Sequence, residues 1–125
     1  MTSRIEQWTL DVHDVSRMAD FWSQVLGYEI EKTDSASVHL YPPAAANPAA
    51  LSVWLQASAA TKRDKNRNHP DLRVDGENFD AEVDRVVALG ARHVDVGQTG
   101  EEPFVVLADP EGNEFCILHD KPAQP

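Results

Sequence analysis

LADPEGNEFCIL, residues Leu107–Leu118, is the stretch on which the fold turns, and it reads as two strands joined by a tight turn. Asp109 suits the first turn position, Pro110 presets φ at the second, and Gly112 accepts the positive φ that closes it. Val105, Val106 and Leu107 lead into the turn; beyond it Glu114, Cys116 and Leu118 alternate with Phe115 and Ile117. That alternation gives the hairpin one face for a core and a second face for whatever the sheet encloses.

Upstream of the hairpin, Ala91–Val96 and Pro103–Ala108 read as strands. Before them Phe79, Val83, Val86, Val87 and Leu89 recur at helical spacing, between a cap at Asn78 or Asp80 and a stop at Gly90. His69–Val74 alternates, with Leu72 and Val74 on one face and His69, Asp71 and Arg73 on the other. The first half of the chain repeats this layout. Ile5–Val12 alternates, with Trp8, Leu10 and Val12 facing one way and Ile5, Gln7, Thr9 and Asp11 the other. Asp14 or Ser16 caps a helix whose stripe is Val15, Met18, Ala19, Trp22, Val25 and Leu26, ending at Gly27. Strands follow at Tyr28–Lys32, Ser35–Tyr41 and Leu51–Gln56, the last placing Leu51, Val53 and Leu55 opposite Ser52, Trp54 and Gln56. Pro42–Ala50, PPAAANPAA, reads as a mobile loop, and Lys121–Pro125 as a frayed tail.

Both halves therefore read strand, helix, three strands. Leu10 and Val12 fall on Leu72 and Val74, both helices end in Leu-Gly, and Val53 and Leu55 fall on Phe115 and Ile117. The expectation is an α+β fold: two βαβββ modules in tandem forming a curved, barrel-like mixed sheet around a cavity. Residues 1–125 make a single domain, with module 1 at about 4–57, a linker at 58–67 and module 2 at about 68–120. Trp8 and Trp22 are expected between helix and sheet, and Trp54 on the cavity face.

A chain of 125 residues can build a real core. Its net charge of −10 argues against nucleic acid or an anionic membrane as a partner, since both need a cationic surface. Cys116 is the single cysteine, so no intrachain disulfide forms and a reducing compartment is expected. MTSRIEQW has no apolar signal core and no apolar run spans a bilayer, which points to a cytoplasmic protein. No HExxH, phosphate loop or GxSxG elbow is present.

The two-module pattern, with MADFWSQVLGYE after the first strand, HPDLRV opening the second half and LADPEGNEFCIL closing it, resembles the vicinal oxygen chelate superfamily. That group includes glyoxalase I, extradiol dioxygenases and bleomycin-resistance proteins; more narrowly the chain resembles the bacterial glyoxalase-like domain proteins. The resemblance implies a small-molecule ligand and a homodimer. It also implies possible metal positions on the cavity face of the first and last strand of each module, which here are Gln7, Trp54, His69 and Cys116. Gln7 and His69 suit a metal; Trp54 cannot ligate, and Cys116 stands where relatives carry a carboxylate. Gln7, His69 and Cys116 remain candidate ligands for a divalent ion such as zinc, nickel, manganese or iron.

Against a metal stands an aromatic-walled cavity with polar groups Gln7, Thr9, His69, Asp71 and Arg73, suited to a planar or partly apolar molecule. Lys62, Arg63, Lys65 and Arg67 put four of the 11 Lys and Arg within six positions. They read either as a solvated linker or as a lure for an anionic ligand group at the cavity mouth. KNRNHPDL matches the wider glyoxalase-like pattern, which favours Arg67 and His69 being positioned. The reading that results is a metal-free binder of a small, partly aromatic or anionic molecule, contacted by Gln7, Thr9, Trp54, Arg67, His69, Asp71, Arg73 and Cys116. The alternatives are a divalent-metal lyase or isomerase acting on an α-oxo substrate, and a metal-free enzyme with His69 as general base.

Overall fold

The computed structural model describes residues 1–32, 34–74, 76 and 78–119. It divides into two compact units, Met1–Thr61 and the chain from Lys62 onward. The tail at 121–125 lies outside the described residues.

The first unit runs β1 (Gln7–Val12), α1 (Val15–Leu26), β2 (Glu29–Lys32), β3 (Ser37–Tyr41) and β4 (Ser52–Ala57). The strands lie in the order β1-β4-β3-β2. β1 and β4 are parallel, in register from Gln7 opposite Ser52 to Val12 opposite Ala57; the other pairs are antiparallel. Asp14 caps α1 by accepting from the Arg17 N–H at 3.0 Å, and Gly27 ends it at φ 68°, a conformation that a side chain would disfavour. α1 packs on β2, β3 and β4. Its Trp22 is fully buried and meets Trp8 of β1 edge-to-face at 5.4 Å, with Phe21 edge-on at 5.1 Å. Leu10, Val12, Val38, Leu40, Val53 and Leu55 complete this core.

The second unit repeats the plan: β5 (Asp71–Arg73), α2 (Phe79–Leu89), β6 (Arg92–His93), β7 (Phe104–Ala108) and β8 (Glu114–Leu118), ordered β5-β8-β7-β6. β5 runs parallel to β8, with Asp71 opposite Cys116; β7 and β8 form the antiparallel hairpin. Its turn closes through the Gly112 N–H to the Asp109 carbonyl at 2.8 Å, with Gly112 at φ 90°. Asp109 is completely buried, and its Oδ1 accepts from the Glu111 and Asn113 N–H groups at 3.0 and 2.9 Å. Asn78 caps α2 through the Ala81 N–H at 3.0 Å. The face carrying Leu107, Phe115 and Ile117 is buried, as are Val83 and Val86 of α2.

The α+β class and the two tandem βαβββ modules are those read from the sequence; several strands start a residue or two later than read, and β5 and β6 are shortened most. β5 begins at Asp71, after Pro70, whose missing N–H cannot extend the ladder, although its carbonyl still accepts from the Cys116 N–H at 3.1 Å. β6 stops at His93, because side chains further on take up backbone donors that a strand would use. Gln98 Oε1 accepts from the Val96 N–H at 2.8 Å and Asp95 Oδ1 from the Gly97 N–H at 2.8 Å.

Candidate functional site

In the second unit the sheet face opposite Phe115 and Ile117 carries Asp71, Phe104, Val106, Glu114, Cys116 and Leu118, placed together by the β5-β8-β7 register. This face floors a cleft of about 340 Å³. Phe104, Val106, Cys116 and Leu118 are its apolar part; Lys65, His69 and Asp71 stand on it as polar groups, with Val96, Gln98 and Glu102 from the β6–β7 loop.

Three of these side chains converge. The donor atoms of His69, Asp71 and Cys116 all lie within 4.8 Å of one another. His69 Nδ1 is 3.2 Å from Asp71 Oδ1. The parallel register sets Asp71 beside Cys116, and the thiol is pushed up to about 11, first by burial and then by the charge and hydrogen bond of Asp71, with Lys65 opposing. At neutral pH Cys116 is therefore a protonated thiol and a poor nucleophile.

The segment leading to His69 is clamped to the hairpin. Lys62 Nζ donates to Glu114 Oε1 at 3.0 Å and also to the Asp64 carbonyl. The Asn66 N–H donates to Glu114 Oε2 at 3.2 Å, and Asn66 Nδ2 to Asn113 Oδ1 at 3.2 Å. Burial opposes ionisation of Glu114, but Lys62 and the Asn66 N–H outweigh it and hold the carboxyl below its ordinary range. The basic run is thus not uniformly a solvated linker: Lys62 is tied down and Lys65 reaches the cleft, while Arg67 is exposed and outside the cleft lining.

Of the residues expected at a site, the second unit brings His69, Asp71 and Cys116 together; Arg73 is on the same strand face but outside the cleft lining. Gln7, Thr9 and Trp54 share the face of the first sheet turned away from α1, with Thr9 opposite Trp54 in the β1–β4 register. Trp54 is half-buried there, as the alternation requires. Sequence reasoning offered Lys65 only as one cation of the basic run, and missed Phe104, Val106, Glu114 and Leu118 of the hairpin and Val96, Gln98 and Glu102 of the β6–β7 loop as cleft residues. Alternation already put Glu114 on the Cys116 face, but the neighbours on β7 and the reach of Lys65 depend on register and on the clamp.

The order β1-β4-β3-β2, repeated as β5-β8-β7-β6 with donor side chains on the non-helical face, defines a vicinal oxygen chelate fold. Residues 7–118 match the family model described as a glyoxalase-like domain, and the chain belongs to that family. Solved structures share the fold at low identity. A variant of the fosfomycin resistance protein FosX from Listeria monocytogenes, complexed with manganese(II) and 1S,2S-dihydroxypropylphosphonic acid, is 17% identical. It aligns over 97% of this chain and 93% of its own, with a TM-score of 0.73. FosX from Mesorhizobium loti is 16% identical over 97% and 94%, TM-score 0.69. A glyoxalase/bleomycin resistance protein/dioxygenase family enzyme from Burkholderia phytofirmans is 19% identical over 92% and 97%, TM-score 0.70. No curated protein sequence matches the chain. Among the described residues no helix is long and apolar enough to cross a membrane.

The donor set tests which metal this fold could hold here. Manganese favours carboxylate, carbonyl and water oxygen, whereas a thiolate with an imidazole and one carboxylate suits zinc. Tetrahedral zinc spaces its ligands about 3.3–3.8 Å apart; the 3.2 Å His69–Asp71 separation is close to that, and all three donors lie within 4.8 Å. His69, Asp71 and Cys116 thus fit a zinc-type ion better than a manganese-type one, and such an ion would supply Lewis-acid polarisation of a bound carbonyl.

Proposed function

We propose that this glyoxalase-like protein binds a small organic molecule, partly aromatic or carrying an anionic group, in the cleft of its second module, without a metal of the kind its relatives use. The observation that carries this reading is the cleft of about 340 Å³, floored by Phe104, Val106, Cys116 and Leu118, with the polar groups Lys65, His69 and Asp71 standing on it. Phe104, Val106 and Leu118 offer the apolar surface, and Lys65 and His69 the positive or donor groups for an anionic end. The protein would act as a cytoplasmic homodimer and a single domain, in keeping with the family resemblance and the lone cysteine. Asp71 lines the same cleft beside Cys116, and Arg67 and Arg73 of the same module are proposed as further contacts.

A second reading is supported by the convergence of His69, Asp71 and Cys116 and by the manganese-bound FosX relative: a lyase or isomerase using a divalent ion on an α-oxo substrate. The His69–Asp71 contact also suits a metal-free enzyme in which Asp71 orients His69 as general base. Native mass spectrometry of freshly purified protein, with elemental analysis, separates them. The binder reading expects a retained or added small molecule, substoichiometric metal and no turnover. One equivalent of metal that His69→Ala and Cys116→Ala both abolish would establish the second reading. Turnover that survives chelator and is lost in His69→Ala would establish the third.

A further inference from the structure

The face of the first sheet away from α1 has a chemistry unlike the cleft of the second module. The strand register puts Gln7, Thr9 and Asp11 of β1, Ser52, Trp54 and Gln56 of β4, Ser37, His39 and Tyr41 of β3, and Glu29 and Glu31 of β2 on it. Three aromatic rings form a row across it. His39 stacks on Tyr41 with centroids 5.6 Å apart at 26°, and lies 5.8 Å from Trp54 at 41°. All three are half-buried, so their ring surfaces remain partly accessible.

Carboxylates border that row. Glu31 Oε1 is 3.7 Å from His39 Nδ1, and its side chain is 62% exposed. Glu29 lies opposite Tyr41 and hydrogen-bonds to its hydroxyl; the Glu29 charge, then burial and Glu31, hold the Tyr41 phenol above its ordinary range. Asp11 adds a third acid, its Oδ1 accepting from Gln56 Nε2 at 2.8 Å. No lysine or arginine stands among the strand residues of this face; Lys32 of β2 pairs with Val38, on the helix side. A surface of aromatic rings beside carboxylates with no lysine or arginine between them repels anions and attracts a soft cation through both ring quadrupole and charge.

We propose that this face binds a small organic ammonium ion, its alkylated nitrogen seated against the Trp54–His39–Tyr41 row and its charge facing Glu29 and Glu31. A bare inorganic cation is a poor match, since it would lose its hydration shell to ring faces. A neutral molecule of the same shape would gain the apolar contact but not the charge. The site uses residues of the first module alone, so its failure would leave the second-module cleft untouched, and the reverse.

Choline and its neutral carbon isostere 3,3-dimethylbutan-1-ol serve as the probe pair. Binding is read from the indole N–H resonance of Trp54 in ¹H–¹⁵N spectra, assigned by its loss in Trp54→Phe; the core residue Trp22 is the internal control. The expected result is a saturable shift of Trp54 by choline, about tenfold tighter than by the alcohol and weakened by salt. Glu29→Gln/Glu31→Gln, on an exposed edge strand, should fold normally and weaken choline by about fivefold or more. Equal shifts by choline and the alcohol, an affinity unchanged in the double variant, or no shift of Trp54 at about 50 mM choline would each overturn the proposal.

Discussion

α1 of the first module buries Met18, Ala19, Phe21, Trp22, Ser23 and Val25, and has no acidic residue in its first turn. α2 of the second module buries Val83 and Val86, and carries Asp80 and Glu82 in its first turn. Glu82 also grips Arg85 through two hydrogen bonds, at 2.7 and 2.8 Å. The second helix thus brings less apolar mass than the first and more local charge, over a sheet whose Leu107, Phe115 and Ile117 are themselves fully buried. The second copy is also where His69, Asp71 and Cys116 gather above a cleft. The second module also ties its connecting segment to its own hairpin, through Lys62 and the Asn66 N–H on Glu114.

Emptying each core gives the largest effect. Trp22→Ala removes the largest fully buried side chain and should cost about 3–5 kcal/mol of stability in chemical denaturation. Val86→Ala, also fully buried, removes two methyl groups and should cost about 2 kcal/mol. Equal losses would mean that the second module depends on its apolar core as heavily as the first.

Reading the chain by its local chemistry recovered what is local. The Asp109–Gly112 turn, the caps at Asp14 and Asn78 and the stops at Gly27 and Gly90 depend on residues within a few positions of each other, and all are found. The face of Trp54 followed from alternation alone. The Lys62–Glu114 pair did not: its members are 52 positions apart, and the basic run offered no local sign of which cation turns inward. Lys65 rather than Arg67 lines the cleft for the same reason, since the clamp at Asn66 decides how the chain enters His69. Asp71 beside Cys116 needs the β5–β8 register, which periodicity on single strands leaves open. The shortness of β6 escaped because Asp95 falls inside the strand pattern Ala91–Val96 and Gln98 beyond it, and periodicity does not mark either as a competitor for the backbone.

A smaller effect sharpens the contrast in connecting segments. The 42–50 loop of the first module is tied by its own turns, with Ala46 N–H to Pro43 carbonyl and Ala50 N–H to Asn47 carbonyl each at 2.9 Å. The 62–67 segment is tied to a distant strand through Glu114. Glu114→Gln keeps the shape but leaves the Lys62 ammonium without its carboxylate, and should cost about 2 kcal/mol. Hydrogen exchange at the Asn66 amide should quicken by about tenfold while 42–50 stays as it was. An unchanged Asn66 amide would mean that the clamp does not hold the segment.

The least costly difference lies in the loops between the middle strands. In the first module Asp34 Oδ1 takes the Ala36 N–H at 2.7 Å and the Ser37 hydroxyl at 3.2 Å. In the second, Glu102 takes the Thr99 N–H at 2.8 Å, the Thr99 hydroxyl at 3.1 Å and the Gly100 N–H at 2.9 Å. The Thr99 N–H, with Glu102's own N–H and then Gly100 assisting against burial, lowers the Glu102 carboxyl from 4.5 to about 2. A depressed carboxyl orders the loop at neutral pH, and that contribution fades as pH falls from the ordinary range through about 2. Carboxyl ¹³C titration should place the Glu102 midpoint near 2, with the Thr99 and Gly100 amide shifts moving in step. A midpoint near 4.5 would show the acceptor released in solution, and would leave Val96, Gln98 and Glu102 free to reshape that wall of the cleft.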